Sequence, residues 1–198
     1  MAAEEAIPVA VDVTFLRMDR MPMGLVPGLP VGATVERVAP RCPVPLYREL
    51  YDTVGQDYVW WLRRSLSDAE LDTVLASPSL SVHVLRIEGR LAGFYELDRR
   101  TWPVTNLAYF GLYPGVIGQG VGIAFLHHAI ATAWREGCSA LTVNTCTADH
   151  PRALPNYVRA GFRKLRTVRE EWPVPTRLGL AIPDHLRLSR NTARRVGT

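Results

Sequence analysis

Lysine is nearly missing from this chain: of 23 Lys and Arg residues, only Lys164 is a lysine. The arginines are scattered, and the one dense group is Arg187, Arg190, Arg194 and Arg195. The formal charge of +4 therefore reads as a solvated surface with a basic tail. No basic run interleaved with aromatics is there to track a phosphate backbone, so nucleic acid is not an expected partner. Cysteine is scarce as well. Cys42, Cys138 and Cys146 are odd in number and lack C-x-x-C spacing, which argues against a disulfide framework or any metal site and suits a reducing cytoplasm. Charges or prolines interrupt every apolar run before it is long enough to span a bilayer, so no membrane association is expected. The opening MAAEEAIPVAVDV carries Glu4 and Glu5 without a basic n-region, and a secretory leader is not expected.

What is present suits one domain: 198 residues, 47% hydrophobic and 21% charged. The expected boundaries are a single domain over 1–188 and a disordered basic tail over 189–198. Residues 9–18 alternate as a strand, a Pro/Gly-rich loop follows, and 33–39 can pair back as a second strand. Leu46, Tyr47, Leu50, Tyr51 and Val54 form one stripe of a helix, and YVWWLRRSL at 58–66 is read as a short second helix. Ser67-Asp-Ala-Glu70 is a capping box, starting a helix that stops before Pro78. Two strands joined at Glu88-Gly89 and a third over 104–113 come next. A long helix enters after Gly122 and ends at Gly137, followed by a β-branched strand at 139–147. Strand, helix, strand at this spacing predicts a parallel pair between 105–113 and 140–147. A short helix at 153–161 and a strand at 162–172 complete an α+β reading.

The stretch that organises the chain is Leu107–Gly122, LAYFGLYPGVIGQGVG. A strand runs through Pro114 and a glycine turn into a helix N-terminus, a layout that offers unpaired backbone N–H groups to an anion. A P-loop is excluded because Ile-Ala, not Lys-Ser/Thr, follows Gly122. A dinucleotide fingerprint is excluded because the glycines read GxGxG and come after about four strands. The register instead resembles motif A of the GNAT N-acetyltransferases, with Leu112, Pro114, Gly120 and Gly122 in place and Ile117 where that family usually has Arg or Gln. A second element of that family matches at Ala153, Tyr157, Gly161 and Phe162, with His150 replacing an Asn and Asn156 replacing a Leu. The resemblance covers roughly residues 33–175.

That resemblance implies a mixed, mostly antiparallel sheet of six to seven strands, with a parallel, splayed pair at the cofactor site and about four flanking helices. It implies acetyl-CoA as co-substrate and no metal. The implied cofactor residues are Leu112, Tyr113, Ile117, Gly118, Gln119, Gly120, Val121, Gly122, His150 and Asn156. Tyr157 stands where the family keeps its general acid; a phenol with pKa ~10 is matched to a thiolate leaving group. Asn106 stands where one branch has a catalytic Glu, and asparagine cannot act as a base. Glu96, His150 and ordered water remain as candidates, with Glu96 taken as the second catalytic residue. Cys146 is read as a buried strand residue, because direct transfer needs no nucleophile. The acceptor is expected against Tyr47, Tyr51, Tyr58, Trp60, Trp61, Glu96, Asp98 and the 168–175 strand. A small primary amine is the leading acceptor, with a protein or peptide amine and a non-catalytic CoA sensor as alternatives. A homodimer is left open.

Overall fold

In the computed structural model, residues 4–23 and 27–188 are described; the tail at 189–198 lies outside them. The strands are β1 (Ala6–Met18), β2 (Ala33–Arg37), β3 (Leu80–Ile87), β4 (Arg90–Asp98), β5 (Val104–Leu112), β6 (Ala140–Cys146) and β7 (Arg163–Pro175). The helices are α1 (Val44–Gly55), α2 (Asp68–Leu75), α3 (Val121–Arg135) and α4 (Ala153–Arg159). One sheet runs β2-β3-β4-β5-β6-β1-β7, antiparallel throughout except for β5 and β6. The expected α+β architecture, with its parallel pair and four helices, is the one observed. No helix among the described residues is long and apolar enough to cross a membrane.

Strand alternation sorts the side chains into two helical layers. Phe94 faces a cluster with Tyr47, Leu50 and Tyr51 of α1 and Leu71 and Leu75 of α2. Its neighbour Tyr95 faces the opposite cluster, with Phe125, Leu126 and Ala129 of α3 and Tyr157 of α4. Each fully buried Leu or Phe in these layers contributes about 1.5–3 kcal/mol. The capping box forms as read: Glu70 N–H donates to Ser67 Oγ, and Ser67 N–H to the Glu70 carboxylate. Gly111 is a close-approach position, since a Cβ there would lie 2.2 Å from Val54 Cγ1 of α1. Any side chain at 111 forces Val54, or α1 with it, to shift.

The segment 58–66 departs from the sequence reading. It folds as successive turns, not as a helix. Its side chains leave in several directions: Trp60 into the α1–α2 cluster, Trp61 towards the β1–β7 cluster, and Arg63 to Glu96. Arg63 N–H donates to the Tyr51 hydroxyl at 3.3 Å, a side-chain contact in place of an intrahelical bond. His128 of α3 is half-buried, with its Nδ1 at 3.1 Å from the Tyr95 hydroxyl.

On β3, opposite Tyr95 of β4, sits a buried histidine with a pH consequence. His83 is stacked on Tyr95 at 4.6 Å, and its Nε2 meets Ser81 Oγ at 3.3 Å. Burial, then the charges of Arg37, His128, Arg99 and Arg135, lower it to about 3. The folded state excludes a proton that the unfolded chain takes up near pH 6.5. Stability is thus complete above that value and is lost as pH falls from about 6.5 towards 3, by up to about 4 kcal/mol. His83→Gln is expected to flatten the acid limb of a Tm-against-pH curve over this range. An unchanged limb would assign the acid lability to other groups.

Candidate active site

β5 and β6 pair in parallel only from Val104–Ala140 to Leu107–Val143. At that point β5 carries an extra residue, Ala108, between the pairs Leu107–Leu97 and Tyr109–Glu96. A bulge bends the strand and increases its twist. Beyond it β5 continues with β4 to Leu112, while β6 continues with β1 to Cys146. The strands part, and the β6-facing edge of β5 from Ala108 to Leu112 has no strand partner. A cavity of about 850 Å³ fills the gap and takes its lining from Asn106 through Leu112.

At the end of β5, a short 3-10 turn over Pro114–Val116 leads to Gly118 and Gly120, both in the left-handed region at φ +89° and +79°. Nothing lies within 4 Å of where a Cβ would stand on either, so the turn surrounds open space. Ile117 N–H is spent on Pro114 O at 3.3 Å and Gln119 N–H on Val116 O at 3.4 Å. The Gln119 side chain braces the turn through Gly115 O at 2.8 Å. Gly120 caps α3 without a side-chain bond, and the N–H groups from Gly120 to Ile123 have no intrahelical acceptor. These donors and the positive end of the helix fit a phosphate-bearing group.

Leu112, Ile117, His150, Asn156 and Tyr157 line the cavity. Val121 is buried at the start of α3. Tyr113 turns away into the α1–α2 cluster, and its N–H is spent on Ala92 O at 2.8 Å. Tyr157 sits edge-on to Phe110 and Phe162. Burial, then the charge of Asp149, pushes its hydroxyl well above the usual phenol range, which keeps the proton on. His150 Nδ1 accepts Arg152 N–H at 3.1 Å and holds the turn into α4. Cys146 lines the cavity, but burial and the Asp149 charge push its thiol up to about 12, a poor nucleophile at neutral pH.

Glu96 does not line this cavity. It is 0% exposed, with Tyr47 Oη donating at 2.6 Å and Arg63 Nη2 at 2.7 Å. Burial raises its carboxyl against the pull of both partners. Arg63 does line the cavity, with its guanidinium 5.5 Å from the centre of the Tyr109 ring. Beside it, Asp98 is held below the usual carboxylate range because hydrogen bonds from Arg100 outweigh its burial.

Two residues that matter here were not singled out from the sequence. Asp149 closes the β6–α4 turn, its Oδ2 accepting Thr145 Oγ1 at 2.7 Å and Cys146 N–H at 3.0 Å. Its Oδ1 accepts Trp60 Nε1 at 3.2 Å, a bond that joins the 58–66 turns to the far wall. Arg63 is the second. The only local signal for Asp149 was an acidic residue in the short link between strand and helix. Among the described residues, no group of three or more His, Cys, Asp or Glu is placed to hold a metal ion.

A seven-stranded sheet parted at a bulge, with a phosphate-suited turn and a phenol at the opening, is the arrangement that the motif resemblance implies for an acetyltransferase fold. The family model for the acetyltransferase (GNAT) family matches residues 47–162. The chain belongs to that family, whose co-substrate is acetyl-CoA. A search of curated proteins returns no match. Among solved structures, a GCN5-related N-acetyltransferase from Sphaerobacter thermophilus superposes with a TM-score of 0.61 at 17% identity, over 86% of this chain and 53% of that one. A GCN5-related N-acetyltransferase from Kribbella flavida gives 0.57 at 20% identity, over 88% and 63%. An aminoglycoside acetyltransferase from an uncultured soil metagenomic sample gives 0.52 at 17%, over 66% and 88%. The chain thus spans between half and two thirds of the length of the first two.

Proposed function

We propose that this chain is an N-acetyltransferase that moves an acetyl group directly from acetyl-CoA to a primary amine of a small molecule. Acetyl-CoA supplies a thioester carbonyl and a thiol leaving group. The N–H groups of Gly118 and of Gly120 to Ile123 receive the pyrophosphate, assisted by the α3 dipole. The unpartnered edge of β5 takes the pantetheine amides as an added strand, and its backbone N–H near Leu112 polarises the thioester carbonyl. His150 and Asn156 border the same arm. The Tyr157 hydroxyl gives its proton to the departing sulfur as the new C–N bond forms and the C–S bond breaks; a proton of the attacking amine restores the phenol or passes to solvent.

The parting of β5 from β6 beside an open glycine turn carries this reading. A small acceptor is favoured over a protein chain because the space beyond the turn is a cavity, with the hydrogen-bonded Trp60 and Asp149 in its lining. Thiol release from acetyl-CoA, screened over small amines and peptides, tests both halves. Peptides alone as acceptors would transfer the reading to a protein substrate, and release with no acceptor at all would remove it. Gly120→Val is expected to weaken acetyl-CoA binding in calorimetry by about tenfold or more, since a β-branched residue at φ +79° costs roughly 1–2 kcal/mol and its side chain fills the turn. Unchanged affinity would take the phosphates away from this turn.

A further inference from the structure

The charges around the acceptor half of the cavity do not cancel. Arg63 is ion-paired with Glu96 at 2.7 Å, and Arg100 with Asp98 at 2.5 Å. Asp149 and Glu170 also line the cavity, and their hydrogen bonds come from neutral donors. Asp149 receives Trp60 Nε1, Thr145 Oγ1 and Cys146 N–H; Glu170 receives Trp172 Nε1 at 2.9 Å. Among the described residues, neither forms an ion pair. The walls beside them are Tyr58, Trp60, Trp61 and Trp172, and aromatic faces attract cations. Two uncompensated carboxylates within aromatic walls focus a negative potential into the space where an acceptor must sit.

The two carboxylates are set apart by the sheet. Asp149 is bonded to Cys146 at the end of β6, and Cys146 stands opposite Val13, which stands opposite Val168 on β7. Glu170 lies two residues further along β7, opposite Val11. Two strand spacings across and two residues along separate the backbones of Cys146 and Glu170 by about 12 Å. The two carboxylates thus hang from anchor points on different strands, and a monocationic acceptor held at one of them leaves the other without a counter-charge, which is costly.

We propose that the acceptor is a dication of the diamine class, its reacting amine held by Asp149 and its second ammonium by Glu170. The proposal rests on the N-acetyltransferase reading above and names its substrate class. Asp149 suits the reacting end for two reasons. Its Oδ2 already accepts two donors, whereas Oδ1 accepts only the long Trp60 bond and retains a lone pair for an acceptor N–H. Asp149 and Tyr157 also line the same cavity, and the Asp149 charge helps to raise the Tyr157 hydroxyl, so an amine held at Asp149 shares that space with the proton donor for the leaving sulfur. Glu170, bonded to Trp172 on the outer strand, takes the distal ammonium.

The test compares kcat/KM for 1,8-diaminooctane with that for octylamine, at saturating acetyl-CoA, in the unmodified protein and in E170Q and D149N. The diamine is expected to exceed the monoamine at least about tenfold, with the preference shrinking as salt screens the distal pair. E170Q is expected to bring the ratio close to one. D149N is expected to lower kcat/KM for both amines about tenfold or more, with acetyl-CoA affinity by calorimetry retained. A ratio near one in the unmodified protein, a salt-independent ratio, or a ratio that survives E170Q would overturn the dication. Failure of every amine to release thiol while acetyl-CoA still binds would instead defeat the parent reading, and this proposal with it. Should E170Q fold poorly, the salt series on the unmodified protein decides.

Discussion

Tyr157→Phe is expected to lower kcat about 10²–10⁴-fold while leaving the dissociation constant of acetyl-CoA nearly unchanged. The separation of the two effects follows from placement. Tyr157 reaches the cavity from α4, and the anchoring N–H groups belong to the Gly118–Ile123 turn before α3, so loss of one oxygen leaves the grip on the phosphates intact. Tyr157 is 6% exposed and packs edge-on to Phe110 and Phe162, contacts that phenylalanine keeps. Because burial and Asp149 raise the phenol, it stays protonated through neutral and mildly alkaline pH. The alkaline side of the rate profile should therefore not fall near pH 10, where an ordinary tyrosine ionises. Single-turnover kinetics with pre-bound acetyl-CoA isolate the chemical step. A variant as fast as the parent would move leaving-group protonation to solvent.

Glu96→Ala is expected to destabilise the fold by about 3–5 kcal/mol, lowering Tm by roughly 10 °C. The carboxyl is wholly buried and holds both Tyr47 of α1 and Arg63 of the 58–66 turns, so its removal leaves a guanidinium and a phenol without their acceptor. The combined replacement Tyr47→Phe, Arg63→Met and Glu96→Met should lose much less stability than the single change, because apolar groups of similar volume need no partner. Thermal melts of the two proteins, side by side, measure the difference. The same variants address the role drawn from sequence. As a general base, Glu96 would register in Glu96→Gln as a lost acid limb of kcat/KM at unchanged Tm. As a brace for Arg63, which the geometry supports, it registers first as a fallen Tm.

The Leu107–Gly122 stretch was legible because its features are local: a strand, a proline, glycines at positions that need positive φ, and a helix start. Tyr157 was legible through its spacing from Gly161 and Phe162. Helix α2 could be read from four residues, Ser67 to Glu70. The segment 58–66 could not, since its apolar and basic residues mimic a helical stripe while serving three separate contacts. The burial of Glu96 left a trace in the apolar run before it, Leu91 to Tyr95, and in the structure Ala92 to Asp98 is buried throughout, as in a central strand covered on both faces. Trp60 and Asp149 meet across 89 positions, and Arg63 and Glu96 across 33. Separations of that kind are products of sheet order, and no window of sequence contains them.

The extra residue at Ala108 has a consequence for how such a protein diversifies. On the proposed reading the donor is gripped by main-chain atoms: the edge that the bulge frees on β5 and the N–H groups of the glycine turn. The acceptor half is lined by side chains, among them Trp60, Trp172, Asp149 and Glu170. Point substitution rewrites side chains readily but leaves main-chain direction in place. The two halves are therefore inherited under different rules, and what is acetylated can drift through single replacements while the acetyl donor stays the same.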